Sequence, residues 1–224
     1  RSTLFPYTTL FRSASGAGFI GLEMVENLHQ IGYHVTIVEK APQVMTVVDA
    51  PIAAMVHKQL KDKNINVLLQ TEVTAFDTKE DRIQLSLSDG KQLDADFVIL
   101  SIGVRPNTSL AADAGLKIGD AGGIWVNEYL QTSNPDIYAL GDAIEFPHPL
   151  SGLPYCCYLA GPANRQARIC ADNIVLGNKE KYPGSITTAI AKVFDMTVGS
   201  AGLSEHYLQK NNIPYLTSIT HPFS

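Results

Sequence analysis

Gly16, Gly18 and Gly21 stand in the pattern G-x-G-x-x-G, inside the stretch GAGFIGLE. Each glycine meets a different steric need. The first lets the chain turn sharply, the second leaves room for a pyrophosphate against the backbone, and the third lets a following helix pack close to a sheet. The free N–H groups at the start of that helix then face the phosphates. Phe19 and Ile20 lie between the second and third glycines and belong to the same candidate site. Glu39 follows Gly21 by 18 residues. A carboxylate at that distance suits a ribose 2′-hydroxyl, which donates to it, and repels a 2′-phosphate. The pattern points to a dinucleotide, with NADH favoured over NADPH, and Lys40 beside Glu39 softens that preference. The bland alternative is a glycine turn in an unrelated α/β protein.

Such residues need a strand, a turn, a helix and a second strand to place them. Leu22, Val25, Leu28 and Ile31 recur at helical spacing, which predicts a helix over 21–32 capped by Gly32. HVTIVE predicts a strand ending at Glu39. A second helix fits 49–64, with Ile52, Met55, Val56 and Leu60 on one face. INVLLQ, EVTAFDT and RIQLSLS predict strands, and Asp89-Gly90 a hairpin turn. ADFVILSIG is almost wholly apolar and predicts a central strand of a parallel sheet. Past Leu116 the chain alternates glycine-rich turns with short strands. A helix is predicted over 163–176, with Pro162 near its first turn and Ala167, Cys170 and Ile174 on one face. Two strands within ITTAIAKVFDMTVGSAG, a short helix over 204–211 and a strand in PYLTSIT follow. The expected fold class is α/β. The stretch before Gly16, TLFPYTTLFRS, is a poor buried strand.

Of 224 residues, 45% are hydrophobic and 17% charged, as in a globular protein with a sizeable core. A net charge of −5 without a basic segment argues against nucleic acid and against anionic membrane surfaces. No apolar run reaches the length of a membrane span. Three cysteines, two of them adjacent, do not make a disulfide framework, so a cytoplasmic location is expected. Cys156, Cys157 and Cys170 read as small buried hydrophobes. His29, His34, His57, His148 and His206 show no metal-ligand spacing, and no metal is expected.

Five motifs occur in order: GAGFIGLEMVENL, VTIVE, VILSIGVRPNTSLA, TSNPDIYALGDA and LAGPANRQARICADNI. Together they resemble the flavin-dependent pyridine nucleotide–disulfide oxidoreductases, and within them the branch of coenzyme A-disulfide reductases and NADH oxidases. The resemblance runs from Gly16 to the end of the chain. It implies a Rossmann-like NAD(P)-binding domain over 14–115 and the second part of a Rossmann-like FAD-binding domain over 116–180. It also implies the start of an α+β dimerisation domain over 181–224, in an intact homodimer. Residues 1–13 are set aside as a non-native lead, because 3–13 resemble a translated DNA-sequencing adapter. The FAD fingerprint and the redox cysteine are expected upstream, so no catalytic residue is assigned in this chain.

By the same resemblance, Phe19 is a lid over the flavin and Glu23 lies near the nicotinamide. Gly103 is the small residue where the nicotinamide half passes. Asp142 accepts from a ribityl hydroxyl of FAD, and Gly141 lets the flavin chain approach. The helix opening at Ala160, Gly161 and Pro162 faces the flavin's pyrimidine edge, and Asn164 faces a thiol substrate. His221 receives no role. The implied cofactors are FAD and NADH, with NADPH possible. The implied reaction passes a hydride from NAD(P)H through FAD to a small-molecule disulfide, coenzyme A disulfide foremost, with oxygen or peroxide as alternative acceptors. The alternative of another class is an NADH-binding module without chemistry. Lacking the cysteine, the chain is expected to bind NADH weakly, hold no stable FAD and reduce no disulfide.

Overall fold

A computed structural model describes residues 17–79 and 82–220. The lead, Gly16 and His221 lie outside the described residues. The chain forms two compact units. The first ends at Gly103 and takes back Ile190–Gly199, and the second holds Val104–Ala189 and the residues from Ser200 on. These packing units do not coincide with the expected domain limits near 116 and 181.

In the first unit, α1 (Phe19–Gln30) starts from the extended backbone of Gly18. Leu22, Val25 and Leu28 enter the core, but Ile31 is 71% exposed. The predicted apolar face stops early because Gly32, at φ +94°, turns the chain out of the helix. Next, β1 (Thr36–Val38), α2 (Ala50–Asp62) and β2 (Asn66–Leu68) form a βαβ unit, with Thr36 opposite Asn66 in a parallel pair. α2 buries Ala53, Val56 and Leu60. Ile52 and Met55, expected on the inner face, stay exposed because the helix presents small Ala53 to the core instead. An antiparallel meander follows: β3 (Val73–Lys79), β4 (Arg82–Leu87) and β5 (Gln92–Ala95). Its second turn is at Asp89 and Gly90, as predicted, with the Lys91 N–H donating to Asp89 Oδ1 at 3.1 Å.

The run Phe97 to Gly103, predicted as a central parallel strand, belongs to no strand among the described residues. Phe97 and Ile99 pack on the core, while Leu100 and Ile102 are more than half exposed. Apolar character is half of what a strand needs. The other half is a hydrogen-bonded neighbour, which a run of residues cannot specify by itself.

The second unit contains α3 (Ser109–Asp113) and a small sheet. In it β6 (Ile124–Trp125) runs parallel to β7 (Ile144–Pro147), and β7 runs antiparallel to β8 (Pro154–Tyr155). α4 (Ala160–Leu176) buries Gln166, Ile169, Cys170 and Asn173. Ala167 and Ile174, expected beside Cys170, are exposed. The face is displaced because two buried amides belong to it. Gln166 Oε1 accepts the Gly141 N–H at 2.7 Å, and Asn173 Nδ2 donates to the carbonyls of Tyr129 and Glu180. Bonded in this way, a polar side chain tolerates the core. All three cysteines are free and buried, and burial pushes each thiol pKa up. Among the described residues, no helix is long and apolar enough to cross a membrane.

The chain then returns to the first unit through a hairpin of β9 (Ala189–Val193) and β10 (Met196–Ser200). Ala191, Val193, Phe194 and Val198 complete that unit's core. A last helix, α5 (Glu205–Lys210), is capped by Ser204, whose Oγ accepts from the Tyr207 N–H. PYLTSIT forms no strand among the described residues, again for want of a neighbour.

Glu26 clasps the hairpin to α1. It is only 7% exposed. Its Oε1 accepts from Lys192 Nζ at 2.8 Å and from Gln30 Nε2 at 3.0 Å, and its Oε2 from the Phe194 N–H at 2.8 Å. Burial works to raise its pKa, but Lys192 and the Phe194 N–H outweigh burial and hold the carboxyl below the ordinary range. In the same unit His57 Nε2 accepts the Val44 N–H at 3.2 Å, and burial pushes the imidazole pKa down. Both shifts mean that the unfolded chain binds more protons, so stability is lost as the pH is lowered. The expected profile has two stages. Loss begins below about pH 6.5 as unfolded His57 protonates, and steepens below about pH 4.3 as unfolded Glu26 does. Urea unfolding across pH checks this: Glu26→Gln should flatten the lower stage and His57→Gln the upper.

Candidate nucleotide-binding site

The turn into α1 is held from two sides. The Ala17 N–H donates to Glu39 Oε2 at 2.7 Å, and the Ala17 carbonyl accepts the Met45 N–H at 2.7 Å. The other carboxylate oxygen, Glu39 Oε1, accepts the Ala41 N–H at 2.7 Å. Glu39 is 5% exposed, at the C-terminal end of β1. One carboxylate thus ties the glycine turn to the loop after β1. Each of its oxygens has a second lone pair, so it keeps acceptor capacity for a further donor.

Gly18 caps α1, and no side chain caps the helix among the described residues. Among the described residues, a Cβ built on Gly18 would meet nothing within 4 Å. Packing among the described residues therefore does not demand glycine here, and space beside an uncapped helix start suits an anion. Gly21 is buried in the first turn, Phe19 is partly buried against the core, and Ile20 is 61% exposed. Glu23 is exposed on α1. Lys40 points to Glu72, with Nζ to Oε2 at 2.9 Å. Gly103 has φ +93° and open space where a Cβ would stand, so a side chain there is excluded by backbone strain rather than by contact.

In the second unit, Gly141, at φ +78°, opens a 3-10 turn over Gly141–Ala143 that leaves Asp142 exposed. α4 starts at Ala160 without a side-chain cap among the described residues. Gly161 and Pro162 of its first turn, with Arg165, line a cavity of about 530 Å³. That size suits a small organic ligand. Tyr182, with its hydroxyl buried, forms another wall. Asn164 Nδ2 donates to the Ala160 carbonyl at 3.0 Å, closing its own helical turn. Sequence reasoning passed over Gln166, which braces the Gly141 turn. The one signal was a glutamine at a core period of α4, which apolar counting ignores.

A profile of the family described as pyridine nucleotide-disulphide oxidoreductase matches residues 15–190. The chain belongs to this family. A curated family relative, the NAD(P)H sulfur oxidoreductase (CoA-dependent) of Pyrococcus furiosus, is 33% identical over 205 residues, which are 91% of this chain and 46% of the relative. The NADH oxidase of Methanocaldococcus jannaschii is 38% identical over 200 residues, 89% of this chain and 44% of that protein. Among solved structures, reduced Bacillus anthracis CoADR-RHD superposes with a TM-score of 0.86 at 44% identity, covering 91% of this chain and 36% of that one. The chain spans less than half the length of these relatives. As a pyridine nucleotide–disulfide oxidoreductase it has the α/β class and Rossmann-like units that its motifs resemble.

Proposed function

We propose that the chain supplies the NADH-binding domain and one wall of the FAD site of a disulfide reductase. The observation that carries this reading is the turn at Ala17 and Gly18, uncapped at the helix start and locked to a buried carboxylate that retains acceptor capacity. The proposed roles follow the order of the chain: 14–115 for the dinucleotide, 116–180 for FAD and 181–224 for dimerisation, in a cytoplasmic homodimer.

In this reading the N–H groups at the start of α1 bind the diphosphate and Glu39 accepts from the adenosine ribose. Phe19 covers the flavin face until the nicotinamide displaces it, Glu23 lies at the nicotinamide, and Gly103 leaves it room. Asp142 accepts from the ribityl chain, Gly141 leaves the chain space, and Gln166 holds that turn by its bond to the Gly141 N–H. The first turn of α4, Ala160, Gly161 and Pro162, directs its N–H groups and partial positive end at the flavin's pyrimidine edge. Bound FAD would supply two-electron transfer between the reduced nicotinamide and a thiol–disulfide pair. Coenzyme A disulfide is the proposed acceptor, in keeping with the CoA-dependent name of the Pyrococcus relative. The oxidase name of the Methanocaldococcus relative favours oxygen as the second reading.

A fluorescence titration with NADH, paired with NADH consumption in the presence of FAD and coenzyme A disulfide, tests the proposal. Saturable NADH binding without turnover above the free-flavin background is expected of this chain. Absence of any NADH binding would remove the reading. Turnover above background would overturn the assignment of the nucleophile to another part of the protein.

A further inference from the structure

Lys40 and Glu72 meet at the corner where both parallel strands of the first unit end. The meeting is built by the backbone. The Glu39 N–H donates to the Leu68 carbonyl, the Thr71 N–H to the Glu39 carbonyl, and the Gln70 N–H to the Ala41 carbonyl, at 2.8, 3.0 and 3.1 Å. Lys40 therefore sits between two residues that are both laced to the segment leading into Glu72. Glu72 is itself pinned on the meander. Its N–H donates to Ser88 Oγ at 3.0 Å, and its carbonyl accepts the Ser88 N–H at 2.8 Å. From these fixed stems the Lys40 ammonium and the Glu72 carboxylate reach each other at 2.9 Å, with side chains 63% and 45% exposed.

We propose that Glu72 is a specificity-determining residue: it withholds Lys40 from a 2′-phosphate and so sets the preference for NADH over NADPH. The inference rests on the dinucleotide reading of the site. Ligands of this architecture lie beyond the carboxyl ends of the strands, which is where Glu39, Lys40 and Glu72 all stand. Glu39 is buried and fixed by two N–H groups, so it cannot swing aside to admit a phosphate. Lys40 is the cation next to it and the group able to offset its repulsion. An ammonium already paired with a carboxylate has less to offer an incoming dianion. The site thus contains both halves of a selector, an acid that reads the ribose and a second acid that keeps the neighbouring cation occupied.

A double-mutant cycle on the 224-residue chain tests this, with NADH and NADPH affinities measured by fluorescence titration for wild type, Glu72→Gln, Lys40→Met and the double variant. Glu72→Gln is expected to raise the ratio of NADPH to NADH affinity about two- to fivefold, the range of an exposed ion pair. In the Lys40→Met background the same substitution should leave the ratio where it was. No rise in the ratio, while the wild type binds NADH, overturns the role of Glu72. A rise that persists without Lys40 overturns it too, because the effect is then the bare loss of a negative charge. If no form of the chain binds NADH, the dinucleotide reading fails and the inference with it.

Discussion

Glu39→Ala is expected to destabilise the first unit by about 3–5 kcal/mol and, separately, to remove NADH binding. The stability loss comes from the two backbone N–H groups, of Ala17 and Ala41, that the carboxylate accepts. Hydrogen bonds to a charged group contribute about 1.5–3 kcal/mol each, and buried donors left without a partner account for much of that loss. Glu39→Gln separates the two effects. Its amide oxygen still accepts one N–H, but its NH₂ faces the other, so about half the stability loss is expected. Urea unfolding read alongside an NADH titration checks both. A Glu39→Ala protein that unfolds at the wild-type urea concentration would show that the carboxylate does not hold the turn. A variant that binds NADH as tightly as wild type would show that it does not read the ribose.

Gly123→Ala is expected to prevent the second unit from folding. The added Cβ would stand 2.6 Å from the Glu145 backbone nitrogen, 2.7 Å from the Ile144 carbonyl carbon and 2.9 Å from Cys156 Sγ. Two of these atoms are backbone of β7, the parallel partner of β6, and cannot yield without breaking that pairing. The cost should exceed the ~1–3 kcal/mol of ordinary overpacking. Gly122, one residue earlier, is the control. It has φ +87° and open space around a would-be Cβ, so Gly122→Ala meets only backbone strain of roughly 1–2 kcal/mol. Soluble yield and circular dichroism of the two variants measure the difference. Equal stability of Gly122→Ala and Gly123→Ala would refute the steric account.

Features whose cause lies within a few residues were legible in the sequence. The turn at Asp89 and Gly90 stands where it was expected, α5 (Glu205–Lys210) falls within the expected 204–211, and α1 (Phe19–Gln30) overlaps the expected 21–32. The sequence of helix and strand around Glu39 was legible too, since a βαβ unit is local in the chain. What failed depends on partners remote in sequence. The apolar runs at 97–103 and 214–220 looked like strands but lack ladders among the described residues. The inner face of α4 was misplaced because Gln166 and Asn173 are polar by type and buried by partnership. Nothing in the sequence around Glu26 signalled the hairpin partners it meets 166 and 168 residues on. At the candidate site, the type and position of Glu39 were legible, but its two bonds to backbone N–H groups were not. Its neighbour Lys40 was visible as a cation, whereas Glu72, 32 residues on, gave no sign of meeting it.

The hairpin that closes the first unit also sets an order of events during synthesis. Glu26 waits 166 residues for Lys192 and 168 for the Phe194 N–H. A nascent chain leaving the ribosome therefore holds α1 with a charged carboxylate and an apolar patch uncovered until the hairpin of β9 and β10 has emerged. Contacts so far apart in sequence slow folding, and an intermediate of that kind is what chaperones bind. A piece cut at Gly103 would remain in that unfinished state.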